Sequence, residues 1–266
     1  MSDRYVPDFG GWQRLSLDQL NERAPLLDRA ENKYLVSGDV LSGVMDNLQA
    51  DFEVLAIDAT TAFGYETTYY DTRSLLTYRQ HAQGKRLRLK VRSRRYLDSD
   101  LCFFEVKLKG QRGRTIKTRM PYDIESHGRI DAAAHQFLTR CVRETYGEDF
   151  THRLTPALSM RYRRLTLVGT GRPERVTVDF DIEFSDPLGA VVTAPHEALI
   201  VEVKSERGRG VADRRFREAG ARPASCSKYC VGLNMVRPGL RYNTFKRPLA
   251  NHFGWLDQGR RLEAAA

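Results

Sequence analysis

The sequence predicts an α+β fold: an antiparallel β-barrel forming a tunnel with a charged lumen, with helices packed on the outside. Two observations predict it. Arg86, Arg88, Lys90, Arg92 and Arg94 alternate with Leu87, Leu89, Val91 and Ser93, the period of two that marks a strand with opposed faces. The same polarity then recurs elsewhere. Phe103, Glu105, Lys107 and Lys109 alternate with Phe104, Val106 and Leu108, and Lys117 and Arg119 with Ile116, Thr118 and Met120. Arg175, Thr177, Asp179, Asp181 and Glu183 oppose Val176, Val178, Phe180, Ile182 and Phe184, and Ile200, Glu202, Lys204 and Glu206 oppose Leu199, Val201 and Val203. An antiparallel sheet of this kind usually keeps its charged face wet. Curled into a barrel with helices over the apolar side, it turns the charged faces onto a lumen.

The basic strand sets the character of that lumen. Side chains on one face recur every roughly 7 Å, so a row of five cations invites an anion of matching linear charge density, such as a phosphate chain. Arginine outnumbers lysine in the row, which suits bidentate phosphate contacts. The alternative is a solvated outer face.

In chain order, Trp12, Leu15, Leu17 and Leu20 at roughly helical spacing, with Ser16 an N-cap candidate, suggest a short amphipathic helix. Residues 31–36 read as a strand, and Gly38-Asp39 opens a helix carrying Val40, Leu41, Val44, Met45 and Leu48. The Tyr- and Thr-rich stretch 64–71 has strand propensity and precedes a short helical pattern at 75–81. The basic strand, a turn at Asp98-Ser99-Asp100, strand 103–109, a hairpin at Gly110 and Gly113, and strand 115–120 form a meander. Residues 130–146 place Ala133, Ala134, Phe137, Leu138, Cys141 and Val142 at helical spacing and divide two β-rich halves. The second half predicts strands at 157–167, 175–184 and 198–206, with a loop through Pro187 and Pro195, then helices at 211–220 and 225–235. Beyond Pro238 an irregular basic tail is expected, and residues 262–266 (LEAAA) read as a cloning remnant. The expected organisation is an N-terminal extension (1–29), one domain (30–236) and the tail (237–266).

With 43 basic and 34 acidic residues in 266, the net charge of +9 calls for an anionic partner. Cys102, Cys141, Cys226 and Cys230 form neither a CxxC pair nor a zinc-finger spacing with histidine, so reduced thiols in the cytoplasm are expected. No apolar run approaches ~18 residues, and the N-terminus, with Asp3, Pro7 and Asp8, lacks a signal-peptide core. A soluble chain is expected. Glu-x-Lys occurs at Glu31/Lys33, Glu105/Lys107 and Glu202/Lys204, each on one strand face. A carboxylate beside a cation there can hold a divalent metal while the cation holds the phosphate that the metal bridges. A cross-strand salt bridge is the alternative for any one pair.

The segments KYLV (33–36), YYDT (69–72), KVRSRRY (90–96), FFEVKLKG (103–110), IKTR (116–119), RYRR (161–164), RVTVDFDIEF (175–184), IVEVK (200–204) and SKYCVG (227–232) together resemble the VTC (vacuolar transporter chaperone) domain of the CYTH, or triphosphate tunnel metalloenzyme, superfamily. The resemblance spans about Glu31 to Gly232. It implies a triphosphate tunnel fold and, for the catalytic members, a polyphosphate polymerase that moves the γ-phosphoryl group of ATP onto a growing chain with Mn²⁺ or Mg²⁺. By motif it assigns phosphate-binding and catalytic roles to Lys33, Arg92, Arg94, Lys107, Arg164, Arg175 and Lys228, hydroxyl contacts to Tyr162 and Ser227, and the metal to Glu202. The alternation adds Arg88, Lys90, Lys117 and Arg119 as substrate-binding candidates on the lumen face. Arg29 stands where the superfamily's hydrolases carry the first carboxylate of ExExK, a departure away from the triphosphatase pattern.

The expected partners are ATP and inorganic polyphosphate, with no nucleic acid and no membrane segment. Phosphoryl transfer needs positioning and charge neutralisation more than a protein nucleophile, so the histidines, His81 and His135 among them, are read as surface or packing residues. Alternatives are a tripolyphosphatase or nucleoside triphosphatase, a non-catalytic polyphosphate-binding module, and a nucleic-acid binder. The last is disfavoured by an expected lack of aromatic platforms between the cations.

Overall fold

The computed structural model describes residues 9–23, 30–110, 115–237, 239–241 and 243–254. Asp3, Pro7, Asp8, Arg29, Gly113, Pro238 and residues 262–266 lie outside these. The first half runs β1 (Arg14–Leu15), α1 (Leu17–Arg23), β2 (Ala30–Val36), α2 (Gly38–Asp46), β3 (Phe52–Leu55), β4 (Ala62–Asp71) and α3 (Leu76–Ala82), then the meander β5 (Leu89–Tyr96), β6 (Cys102–Lys109) and β7 (Thr115–Pro121). After α4 (Ala132–Tyr146) come β8 (Thr155–Gly169), β9 (Arg175–Ser185), β10 (Val191–Thr193), β11 (Leu199–Ser205), α5 (Val211–Glu218), α6 (Lys228–Val236) and α7 (Lys246–His252).

One sheet carries the fold, in the order β2-β11-β9-β8-β4-β5-β6-β7, with β10 on β9, β3 on β8 and the parallel β1 on β3. Among the described residues the outer strands β2 and β7 do not pair with each other, so the sheet is a curled antiparallel half-barrel. Helices cover its convex side as the apolar faces demand. Tyr34, Val36, Val176, Val178, Val201 and Val203 share a core with Leu41 and Val44 of α2 and Ala212 and Phe216 of α5. Leu89, Val91, Phe104, Val106 and Leu108 share another with Phe137, Leu138 and Cys141 of α4. Asp131 caps α4 by accepting from the Ala134 N–H at 2.8 Å, and Gly147 at φ 77° closes it, a left-handed turn that glycine adopts without a Cβ clash.

Helix α6 departs from that arrangement. Every residue of it is buried, and it packs in one core with Leu35, Tyr69, Leu158, Met160, Phe184 and Ile200. Leu35 and Ile200 lie two residues from Lys33 and Glu202 on the same strand faces, so α6 fills one end of the concave side. Gly232 permits the approach: a Cβ there would sit 2.3 Å from Phe184 Cδ1.

Four sequence expectations need correction. The basic strand begins at Leu89, leaving Arg86 and Arg88 in the preceding turn. Asp181 and Glu183 do not share the face of Arg175, Thr177 and Asp179, because β9 carries an extra residue where the pairing jumps from Arg163↔Phe180 to Arg161↔Glu183. Asp181 sits there at φ 51°, and a bulge of this kind reverses the alternation. The described part of the tail, residues 243–254, is not irregular, since Phe245, Leu249 and Phe253, spaced four apart, are buried in one core with α6. Full burial of such side chains contributes about 1.5–3 kcal/mol each, enough to order a short helix. Finally, 52–55 and 191–193 are strands where none was predicted.

Candidate functional site

The concave face not filled by α6 is a cavity of about 440 Å³. Parity along the strands delivers its lining: even positions of β5, β8 and β11, and odd positions of β2, β4, β6, β7 and of β9 before the bulge. Lys33, Arg92, Arg94, Lys107, Arg164, Arg175 and Lys228 all line it, as do Lys90, Lys117, Arg119, Ser227 and Glu202. Two candidates do not. Arg88 precedes the strand and donates to the Lys85 carbonyl at 2.5 Å. Tyr162 shares the face of Arg164 but is covered there, 2% exposed, with Tyr65 stacked on it at 5.2 Å between ring centroids and Arg94 and Arg164 over its ring.

The wall formed by β2, β11, β9 and β8 is tightly paired. Lys228 reaches in from the first turn of α6, 2.6 Å from Glu202 and 2.6 Å from Asp179. Lys33, opposite Glu202 in the β2–β11 register, lies 2.8 Å from it and 2.7 Å from Glu31. Arg164 grips Asp179 with two hydrogen bonds at 2.5 and 2.8 Å, the bidentate geometry that a planar guanidinium favours. Burial pushes the Glu202 carboxyl upward, but Lys228 and Lys33 outweigh it and hold the group well below the usual carboxylate range. Glu31, opposed by burial and by Glu202, is nonetheless drawn down to about 2 by Lys33, Lys107 and Lys204.

The opposite wall, β5 to β7, has fewer anions. Glu105, 2% exposed, pairs with Arg92 and, at 2.6 Å, with Lys117. Arg94 donates to Thr67 Oγ1 at 3.2 Å and Lys90 to Ser227 Oγ at 2.9 Å. Burial lowers Lys117 to about 7 despite Glu105, and lowers Lys90 to about 8, with Lys107, Lys33 and Arg92 acting in the same direction.

Sequence reasoning gave Asp179 no role, and took Glu105 only as a possible metal carboxylate beside Lys107, not as the partner of Arg92 and Lys117. Their positions in the alternation, beside Arg175 and Lys107, were the available signal. It also expected no aromatic surface between the cations, and that expectation fails. Phe63, Tyr65, Tyr69, Tyr96 and Phe103 all line the cavity. Arg94 and Arg164 lie over Tyr65 at 5.7 and 5.2 Å, Arg92 over Tyr69 at 5.9 Å and Arg119 over Phe103 at 4.5 Å, cation–π contacts that orient the guanidinium groups. Among the described residues no histidine lines the cavity.

Among the described residues no three side chains of ligand type cluster as a closed metal cage. Glu202 and Glu31, both bonded to Lys33, supply two carboxylates. That fits a hard divalent cation of the kind that takes most of its shell from water and phosphate oxygens. No helix among the described residues is long and apolar enough to cross a membrane.

A curled half-barrel with a polyionic concave cavity defines a class of anion-binding tunnel domains. The chain belongs to the VTC domain family, which matches residues 28–237. A search of curated proteins found no match to the sequence. Among solved structures, the chain is similar to a putative adenylyl cyclase from Hippeastrum, reported with a dominant triphosphatase activity, at 14% identity and a TM-score of 0.49, over 80% of this chain and 98% of that one. It is also similar to a putative adenylate cyclase from Bacillus halodurans at 12% identity and a TM-score of 0.42, over 82% and 96%. Neither likeness bears on function. Membership of the family supports a role related to polyphosphate or triphosphate.

Proposed function

We propose that this chain is a polyphosphate polymerase that transfers the γ-phosphoryl group of ATP to the end of a polyphosphate chain. One observation carries the reading: the lumen cations converge on a single cavity, with Glu202 held between Lys33 and Lys228. A terminal phosphate oxygen of the acceptor attacks the γ-phosphorus, the bond to the β,γ-bridging oxygen breaks, and ADP leaves with that electron pair. Transfer of this kind depends on alignment and on fixed charge around the equatorial oxygens. Lys33, Arg164 and Lys228, immobilised by carboxylates, suit the reacting phosphoryl group. Arg92, Arg94, Lys107 and Arg175 suit the remaining phosphates, Lys90, Lys117, Arg119 and Ser227 the chain. Glu202, with Glu31, would hold Mn²⁺ or Mg²⁺, which when bound neutralises charge on the transferred phosphate. The four free, buried cysteines suit a reducing compartment, which we take to be the cytoplasm.

A tripolyphosphatase in the same cavity is the second reading, favoured by Glu31 beside Glu202 on Lys33. Incubation with ATP and Mn²⁺, with products resolved by length on a gel and free phosphate assayed, separates the two. A ladder of long chains supports the polymerase; phosphate without chains sinks it in favour of the hydrolase.

A further inference from the structure

The cavity changes character toward the end opposite α6. On β5 the inward row Lys90, Arg92, Arg94 is followed by Tyr96, one step of roughly 7 Å further along the face, and on β6 Glu105 gives way to Phe103 in the same direction. The mouth is then completed by Leu55 of β3, Leu101 of the β5–β6 turn, and Leu17 and Leu20 of α1. Leu17 and Leu101 keep 42% and 47% of their surface exposed, costly for apolar groups that nothing covers.

Helix α1 lies outside the 28–237 family match, yet it is fixed in place. The β1–β3 pairing sets Leu15 beside Leu55, Leu20 packs with Leu55 and Phe63, and Arg23 pairs with Glu53 while donating to the Gly169 carbonyl at 3.2 Å. Phe103 also orients Arg119, but a purely anionic chain gains nothing from the leucines of this rim. A ligand with a polyanionic end and a flat, uncharged end matches both halves of the cavity at once.

We propose that the rim built by α1, Tyr96, Leu101 and Phe103 is a nucleoside subsite, seating the base and sugar of a nucleoside triphosphate whose phosphates occupy the polyionic interior. It rests on the reading of the cavity as an ATP-using site, and it assigns to the N-terminal extension a part in discriminating nucleotide from inorganic phosphate chains. Asn21, Asp98 and Ser99, also at the rim, supply polar edges next to the apolar surface.

The test is calorimetric titration of the whole chain with ATP and with methyl triphosphate, which carries the same charge without a nucleoside. ATP is expected to bind about tenfold tighter or better, the scale of one base on an aromatic and apolar surface. Leu17→Ser/Leu101→Ser, two exposed positions whose replacement spares the core, should close that gap to about threefold or less while methyl triphosphate binds as before. Tyr96→Ala should narrow the same gap. Equal affinity of the two ligands for the unaltered chain overturns the proposal, as does a double variant that weakens both alike. If the gap persists but no polyphosphate is made, the polymerase reading falls and the subsite stands. If neither ligand binds, both fall.

Discussion

The two walls of the cavity carry similar numbers of cations but are built differently. On the β2/β11/β9/β8 side, Arg164 is fixed by the buried Asp179, Lys228 by Asp179 and Glu202, and Lys33 by Glu202 and Glu31. On the β5–β7 side, Glu105 is the carboxylate among strands that present Lys90, Arg92, Arg94, Lys107, Lys117 and Arg119. Placing cations against buried carboxylates fixes their geometry and cancels their charge. Leaving them without such partners keeps charge for a ligand at a cost in self-repulsion. The first arrangement suits a reaction centre and the second a track.

The sharpest way to break this contrast is Asp179→Ala. The carboxylate is fully buried and serves Arg164 and Lys228 together, so its loss leaves two buried cations short of a partner. A loss of about 3–5 kcal/mol of stability is expected, read as a lower urea midpoint. Next, Glu202→Gln should lower metal-dependent turnover by roughly 10²–10³-fold, the scale of one preorganised electrostatic group, while polyphosphate binding by filter retention persists. Unchanged turnover would remove Glu202 from the metal role.

On the other wall, Arg94→Ala should weaken polyphosphate binding by about tenfold or more, a charge-assisted contact being worth ~1.5–3 kcal/mol. Arg207→Ala and Arg209→Ala, on exposed positions, should leave binding unchanged, and equal losses would defeat the lumen assignment. The smallest effect is on pH. Lys117, lowered to about 7, and Lys90, lowered to about 8, lose their charge as pH rises, and a bound anion favours the charged forms. Polyphosphate affinity should therefore fall several-fold from about pH 6 to about pH 9, with proton uptake on binding. A flat profile would mean that neither lysine meets the chain.

Much of this was legible in the sequence because alternation is local. Arg92 and Arg94, or Lys33 and Glu31, share a face wherever the strand goes, and the polarity of those faces already implied a charged interior. What was not legible depends on departures from regularity or on distant contacts. The alternation could not report the extra residue at Asp181, so Glu183 was assigned to the wrong face. Asp179 was visible as one more polar position, but its role follows from Arg164 and Lys228 arriving from two other elements. The helix of the tail carried its signal in Phe245, Leu249 and Phe253, masked by the basic residues between them. The rim at Tyr96 depends on α1 and β3 meeting in space across the sheet.

The bulge in β9 gives the strand something like a reading frame. Up to Asp179 the odd residues face the lumen and the even ones the convex core; beyond Asp181 the assignment is exchanged, so that Ile182 and Phe184 meet α6. Deleting Asp181 would change none of the side chains proposed to bind phosphate. It would nonetheless exchange the faces of Ile182, Glu183 and Phe184, taking two large apolar groups away from α6 and bringing Glu183 in among the apolar side chains packed there. A single missing residue would then act as a frameshift in three dimensions, releasing α6 and with it Lys228, and so dismantling the proposed reaction centre from a position that never touches it.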